Sequence, residues 1–156
     1  MSVHPFPAWA RRVIATAVVA GVCLGTAGCS PAYSPSGRLA QSASDASAQT
    51  QTAALTLRLA ASQQLPSPAT DTALSDVTDK LGQDDSSLTS ADVSGRLDAA
   101  RRRILDRLRV GEDLLVHARV LVGANAGAAE TEAVARRLQA TAKQLSTLGQ
   151  QLQASG

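Results

Sequence analysis

Aromatic side chains are almost missing from this chain: Phe6, Trp9 and Tyr33 are the only three in 156 residues. Single-stranded nucleic acid is usually gripped by stacking platforms, and cation cages need ring faces, so both classes of site lack their material. Cysteine is scarce too, with Cys23 and Cys29 alone, which excludes a disulfide-dense scaffold. Histidine occurs only as His4 and His117. With no HExxH, no GxSxG and no glycine-rich phosphate loop, the sequence carries none of the common metalloprotease, acyl-transfer or nucleotide motifs. The longest apolar stretch, Val13 to Ala27, spans 15 residues, short of the roughly 20 that a membrane-crossing helix needs. Strand signals are lacking as well, since the one β-branched cluster, at 116–122, lies inside a helical pattern.

What is present begins with an export signal. His4, Arg11 and Arg12 make a positive start, Val13 to Leu24 is uninterrupted apolar sequence, and Gly25-Thr26-Ala27-Gly28 is a run of small residues. The next residue is Cys29. Thr26-Ala27-Gly28-Cys29 resembles the lipobox of bacterial lipoprotein precursors. That resemblance covers the first 29 residues only. It implies that the Cys29 thiol takes a diacylglycerol, that cleavage falls between Gly28 and Cys29, and that the mature protein is lipid-anchored at the extracytoplasmic face of the cell membrane. Two acyl chains suffice for stable anchoring where one is marginal. Thr26 stands where leucine is usual in that class. Gly25 and Ala27 also satisfy the small-x-small rule of ordinary signal peptidase, whose cut after Ala27 would leave a soluble protein with a free Cys29. Arg11-Arg12 raises the twin-arginine export route, but Val13, Ile14 and Ala15 lack most of that motif.

Loss of the signal alters the chemistry of the remainder. Arg11 and Arg12 leave, so Lys plus Arg falls from 15 to 13 and equals the 13 Asp plus Glu. The mature chain is formally neutral, which argues against a nucleic-acid partner. Phe6, Trp9 and Cys23 leave as well, so the body must hold together by aliphatic packing. The chain divides into a lipoprotein signal peptide at 1–28, the lipidated cysteine and a Pro/Ser-rich flexible tether at 29–36, and a helical domain at 37–156.

Four segments carry helical periodicity. The first runs from about Ser36 to Gln64, with Leu39, Ala43, Ala46, Thr50, Ala53, Leu57 and Ala61 recurring at steps of three and four. The second is short, from Pro68 to Leu81, capped by Ser67 and closed by Gly82. The third runs from Ser90 to Val122. Thr89 and Asp92 have the spacing of a capping box, Leu88 and Val93 that of a hydrophobic staple, and a stripe passes through Ile104, Leu108, Gly111, Leu115 and Ala118. The fourth, Ala128 to Ala154, carries a heptad seam of Val134, Leu138, Thr141, Leu145, Leu148 and Leu152. Short turns between helices predict an all-α, up-down antiparallel helical bundle of three long helices and one short one.

Few residues invite chemistry. Arg101-Arg102-Arg103, Arg107 and Arg109 alternate with Asp98, Asp106 and Asp113 at helical spacing, which reads as a solvated, self-neutralising face. Asp84-Asp85-Ser86-Ser87 lacks the spacing of an EF-hand and reads as a solvated turn. His117 has no partner for metal or base chemistry and reads as a boundary residue. No cofactor, metal or catalytic group is assigned, and the chain reads as a non-enzyme. One feature suggests a contact: Val116 and Val120 share the outward face of the third helix, with Leu121 on its flank. The reading is therefore a membrane-anchored, non-enzymatic interaction module whose partner is another envelope protein or a second copy. The alternative is a carrier that holds a lipid or other apolar molecule in a gap lined by the alanine-rich first helix.

Overall fold

A computed structural model describes residues 34–155. They form an all-α antiparallel four-helix bundle: α1 (Pro35–Ala61), α2 (Ser67–Ser90), α3 (Arg96–Gly123) and α4 (Ala128–Ala154). Each helix follows its predecessor after four or five residues, which leaves no room for a crossover. α1 packs most extensively on α4, α2 and α3 complete the ring, and α2 and α4 occupy opposite corners without packing on one another.

The α1–α4 pair is held at close range by two heptad ladders of small residues. Ala40, Ser47 and Ala54 recur every seven residues on α1, and Ala135, Ala142 and Gly149 do so on α4; all six are buried. Antiparallel register sets Ala40 beside Gly149, and the Ser47 hydroxyl donates 2.9 Å to the Ala142 carbonyl. The same register sets Ala54 opposite Ala135. Further along, Arg58 donates to Glu132 and Gln139 and ties the far end. A side-chain hydroxyl can reach a neighbouring helix's carbonyl only where nothing larger than a methyl group separates the backbones. Leu39, Leu57, Leu138 and Leu145, all essentially buried, flank the ladder and supply the apolar area that alanine cannot.

Buried threonines do not break this core, because their hydroxyls return to their own helix. Thr50 donates to the Ala46 carbonyl at 2.7 Å, Thr141 to Arg137 at 3.1 Å, and Thr70 to Pro66 at 3.1 Å. Each then packs as a small β-branched residue with no unsatisfied polar atom.

Several boundaries differ from the sequence expectation, among them the end of α1, which falls at Ala61 and not Gln64. α1 begins at Pro35, because the Ser34 hydroxyl accepts from the Gly37 amide at 3.0 Å and proline suits the first turn. Two residues assigned to the tether therefore belong to the bundle, and the alanine- and serine-rich first half of α1 is helical throughout.

α2 is not short. It passes through Gly82 and through Asp84-Asp85-Ser86-Ser87, which is helix rather than turn. The reason is Leu88, 2% exposed, which continues the face of Leu74, Val77 and Leu81. Burying a leucine contributes about 2 kcal/mol, more than the roughly 1 kcal/mol that a mid-helix glycine costs. Ser67 is inside the helix, with Pro66 at the cap and no side-chain capping bond.

α3 consequently starts at Arg96, not Ser90, and the expected Thr89–Asp92 box and Leu88–Val93 staple do not form. Its cap is Gly95, at φ +61°, a conformation open mainly to glycine. Arg101 clamps the turn, donating to the Thr89 and Ala91 carbonyls at 3.2 and 3.1 Å and to Asp98 at 2.7 Å. It thereby satisfies carbonyls that end α2. α4 has the bounds its heptads predict.

The two buried glycines should respond to alanine with opposite signs. A Cβ at Gly111 would meet only side-chain atoms at 3.8 and 3.9 Å. Gly111→Ala should therefore raise stability by about 0.5–1 kcal/mol through helix propensity. A Cβ at Gly149 would lie 3.1 Å from the Ala40 carbonyl oxygen, which cannot yield unless α1 moves. Gly149→Ala should lower stability by about 1 kcal/mol net of propensity, as read by urea denaturation. A gain at Gly149 would mean that the pair is not close-packed there.

Candidate interaction surfaces

The residues expected to carry the lipid anchor, Gly28 and Cys29, lie outside the described residues. The expected contact on α3 is only partly assembled. Val116 and Val120 are 60% and 63% exposed, one helical turn apart, and neither the α3–α4 turn nor α1 covers them. Leu121 does not join them. It is half-buried, packs on the core, and lines the cleft between the end of α3 and the α1–α2 turn with Leu65, Pro66 and Asn125. Leu114, about two helical turns before Leu121, is buried. The end of α3 is apolar nearly all round because two sides of it pack inside the bundle. What remains outside is a pair of valines, with exposed His117 beside them.

The arginine run is not the uniform self-neutralising face that its spacing predicts. Arg101 is spent on the α2–α3 turn, and Arg102 pairs with Asp98 at 3.0 Å. Among the described residues Arg103 has no carboxylate within 4 Å, nor do Arg107 and Arg109. Helical rotation points Arg103 and Arg107 towards α4. There they line a groove of about 530 Å³ with Asp106, Lys143 and Gln144. A second groove, of about 990 Å³, runs along the other side of α4 between it and α1, lined by Leu55, Arg58, Arg136, Gln139 and Lys143. Lys143 belongs to both, so α4 is a ridge with cations on its crest and both flanks. Asp106 is the sole carboxylate lining either groove.

Carboxylates gather on the opposite side. α2 carries Asp71, Asp76, Asp79, Asp84 and Asp85 against the single Lys80. Asp84 occupies the heptad position between Leu81 and Leu88, and its carboxyl is raised above the ordinary range by burial and then by the charge of Asp45. Glu112 on α3 is raised by burial, then by Asp85 and Asp113, with Arg109 opposing. One Asp85 carboxylate oxygen is buried without a hydrogen-bond partner. Among the described residues no three His, Cys, Asp or Glu side chains converge so as to hold a metal ion. No described helix is long and apolar enough to cross a membrane. No family model, curated protein or solved structure matches the chain.

The acidic corner implies a pH dependence. A carboxyl whose folded-state pKa is raised binds its proton more readily in the folded protein than in the unfolded chain. Stability then falls as pH rises from the ordinary carboxylate range through the raised value. Asp84→Asn should unfold at a higher temperature than wild type at neutral pH and lose that advantage on acidification below the carboxylate range. Thermal melts at several pH values test this, and an advantage independent of pH would dismiss burial of charge as its cause.

Proposed function

We propose that the chain is the precursor of a bacterial envelope lipoprotein whose bundle is a non-enzymatic interaction module. Lipid on Cys29 holds it at the extracytoplasmic face of the cell membrane. The observation that carries this reading is where the bundle's resources are spent. Its core runs from Leu39 to Leu152, its buried hydroxyls bond to helix carbonyls, and its distinctive features are external. Pro35 opens the bundle six residues after Cys29, so the body would stand close to any membrane that holds the anchor. The carrier alternative requires the alanine stripe of α1 to line a gap. Ala40, Ala43, Ala46, Ala53 and Ala54 are instead buried in the packed core, at most 3% exposed.

Metabolic labelling with a fatty-acid probe should mark the wild-type chain and not Cys29→Ala. Equal labelling of both would remove the anchor, and release of unlabelled wild type would indicate ordinary signal cleavage.

For the protein contact we assign Val116 and Val120, since both are open to solvent and adjacent. Leu121, which packs on the core, is not part of that contact. Val116→Glu with Val120→Arg forms an i,i+4 ion pair that a solvated face tolerates. In-cell crosslinks to an envelope partner or a second copy should disappear while helicity by circular dichroism is retained. Crosslinks that survive in the folded variant would put the contact elsewhere.

A further inference from the structure

The four helices do not share charge evenly, and the uneven distribution has a direction. Arg103 and Arg107 on α3 and Arg136 and Lys143 on α4 are all exposed and, among the described residues, lack a carboxylate within 4 Å. They surround the α4 ridge. Arg58 adds a fifth cation on the α1 flank, already paired with Glu132 at 3.3 Å. Across the bundle, α2 carries five aspartates and one lysine and does not pack on α4. A formally neutral body therefore has a cationic side and an anionic side separated by its full thickness. This is not an accident of one helix. The sequence places Asp106 and Asp113 where they could pair with Arg103 and Arg109, and neither pair forms.

We infer that the α4 side is a docking surface for an anionic lipid bilayer, which sets the orientation of the bundle on the membrane. Charge complementarity selects the occupant. Polybasic surfaces gain about 1 kcal/mol per Lys or Arg near anionic lipid, within a Debye length of roughly 10 Å. Leu55, 57% exposed in the α1–α4 groove, adds an apolar side chain on the same side. The position of the preceding chain fits as well. Six residues from Cys29 to Pro35 reach at most about 20 Å when extended, while a helix of this length spans about 40 Å. A lipid at Cys29 therefore holds the start of α1 at the surface, and α1 is the direct neighbour of α4. The bundle can lie on its α4 side with the aspartates of α2 facing away from the lipid phosphates. The inference rests on the anchored-lipoprotein reading only for the nearness of a membrane. The surface itself is defined by the folded domain.

The test uses residues 29–156 with Cys29→Ala, a chain that keeps the whole core from Leu39 to Leu152 and has no anchor. Its result is thus independent of whether Cys29 is acylated. Flotation is measured with phosphatidylcholine vesicles, with and without about one-third phosphatidylglycerol, at about 50 mM and about 500 mM salt. Binding should require the anionic lipid and be lost at high salt. Arg103→Glu with Lys143→Glu should weaken it about tenfold or more. Lys80→Glu with Arg109→Glu changes net charge equally, away from the α4 side, and should alter binding by no more than about twofold. Circular dichroism confirms folding, and Arg107→Gln with Arg136→Gln replaces the first variant if that variant unfolds. Wild type that ignores anionic vesicles at low salt, or equal losses in the two charge-reversed variants, overturns the proposal. So does salt-sensitive self-association without lipid that Arg103→Glu with Lys143→Glu abolishes, which would give the surface to the acidic α2 of a second copy.

Discussion

Two backbones brought within a methyl group of each other set the terms for the rest of this protein. The Ser47 hydroxyl on the Ala142 carbonyl and the Gly149 backbone against Ala40 are possible only because three small residues on α1 meet three on α4 in register. Small residues bury little area, so the pair alone would be weak. Its stability depends on the leucines on either side of the ladder and on α2 and α3 closing over them. Among the described residues the core holds no aromatic side chain, so aliphatic side chains must reach native packing density by short distances instead of large rings.

That economy has consequences at the surface. α2 must run past Leu88 to complete the core, so Asp84 is carried into a heptad position near Asp45, and Asp85 is brought near Glu112 beside Asp113. Extending α2 also moves the start of α3 to Arg96, which frees Arg101 to clamp the turn. Arg102 takes Asp98, and Arg103 is turned into the α4 groove without a counter-charge. The three consecutive arginines face different surroundings because helical rotation separates neighbours by 100°: Arg101 reaches the end of α2 as well as Asp98, Arg102 pairs with Asp98 on its own helix, and Arg103 faces α4. The polarised surface follows from how the core is filled.

The proposed interaction function draws on the outside of the molecule. The buried hydroxyls bond to backbone carbonyls, while Asp85 Oδ1 and Arg101 Nε are buried without a partner, and the first-helix alanines are committed to packing. The valine pair on α3 and the cationic ridge of α4 lie on different faces of the bundle. One face can therefore rest on a membrane while the other stays open to a protein partner, and a lipid-tethered module with both would present its contact at a fixed height and orientation.

The class of fold and the bounds of α4 were legible in the letters alone, because a heptad seam of leucines buries itself against neighbouring helices. So were the core stripes of α1 and α3 and the outward direction of Val116 and Val120, all properties of single-helix periodicity. The small-residue ladder was present in the same letters, as Ala40, Ser47, Ala54 and Ala135, Ala142, Gly149, but its meaning needs the partner helix. Packing between helices made Gly149 and not Gly111 the close approach, kept Asp84 to Ser87 helical, and turned Leu121 inward. Each of those outcomes depends on what lies across an interface: a carbonyl oxygen at 3.1 Å, a leucine worth more buried than a glycine costs, a cleft wall. Local patterning cannot weigh such terms, because the competing energies belong to two helices at once.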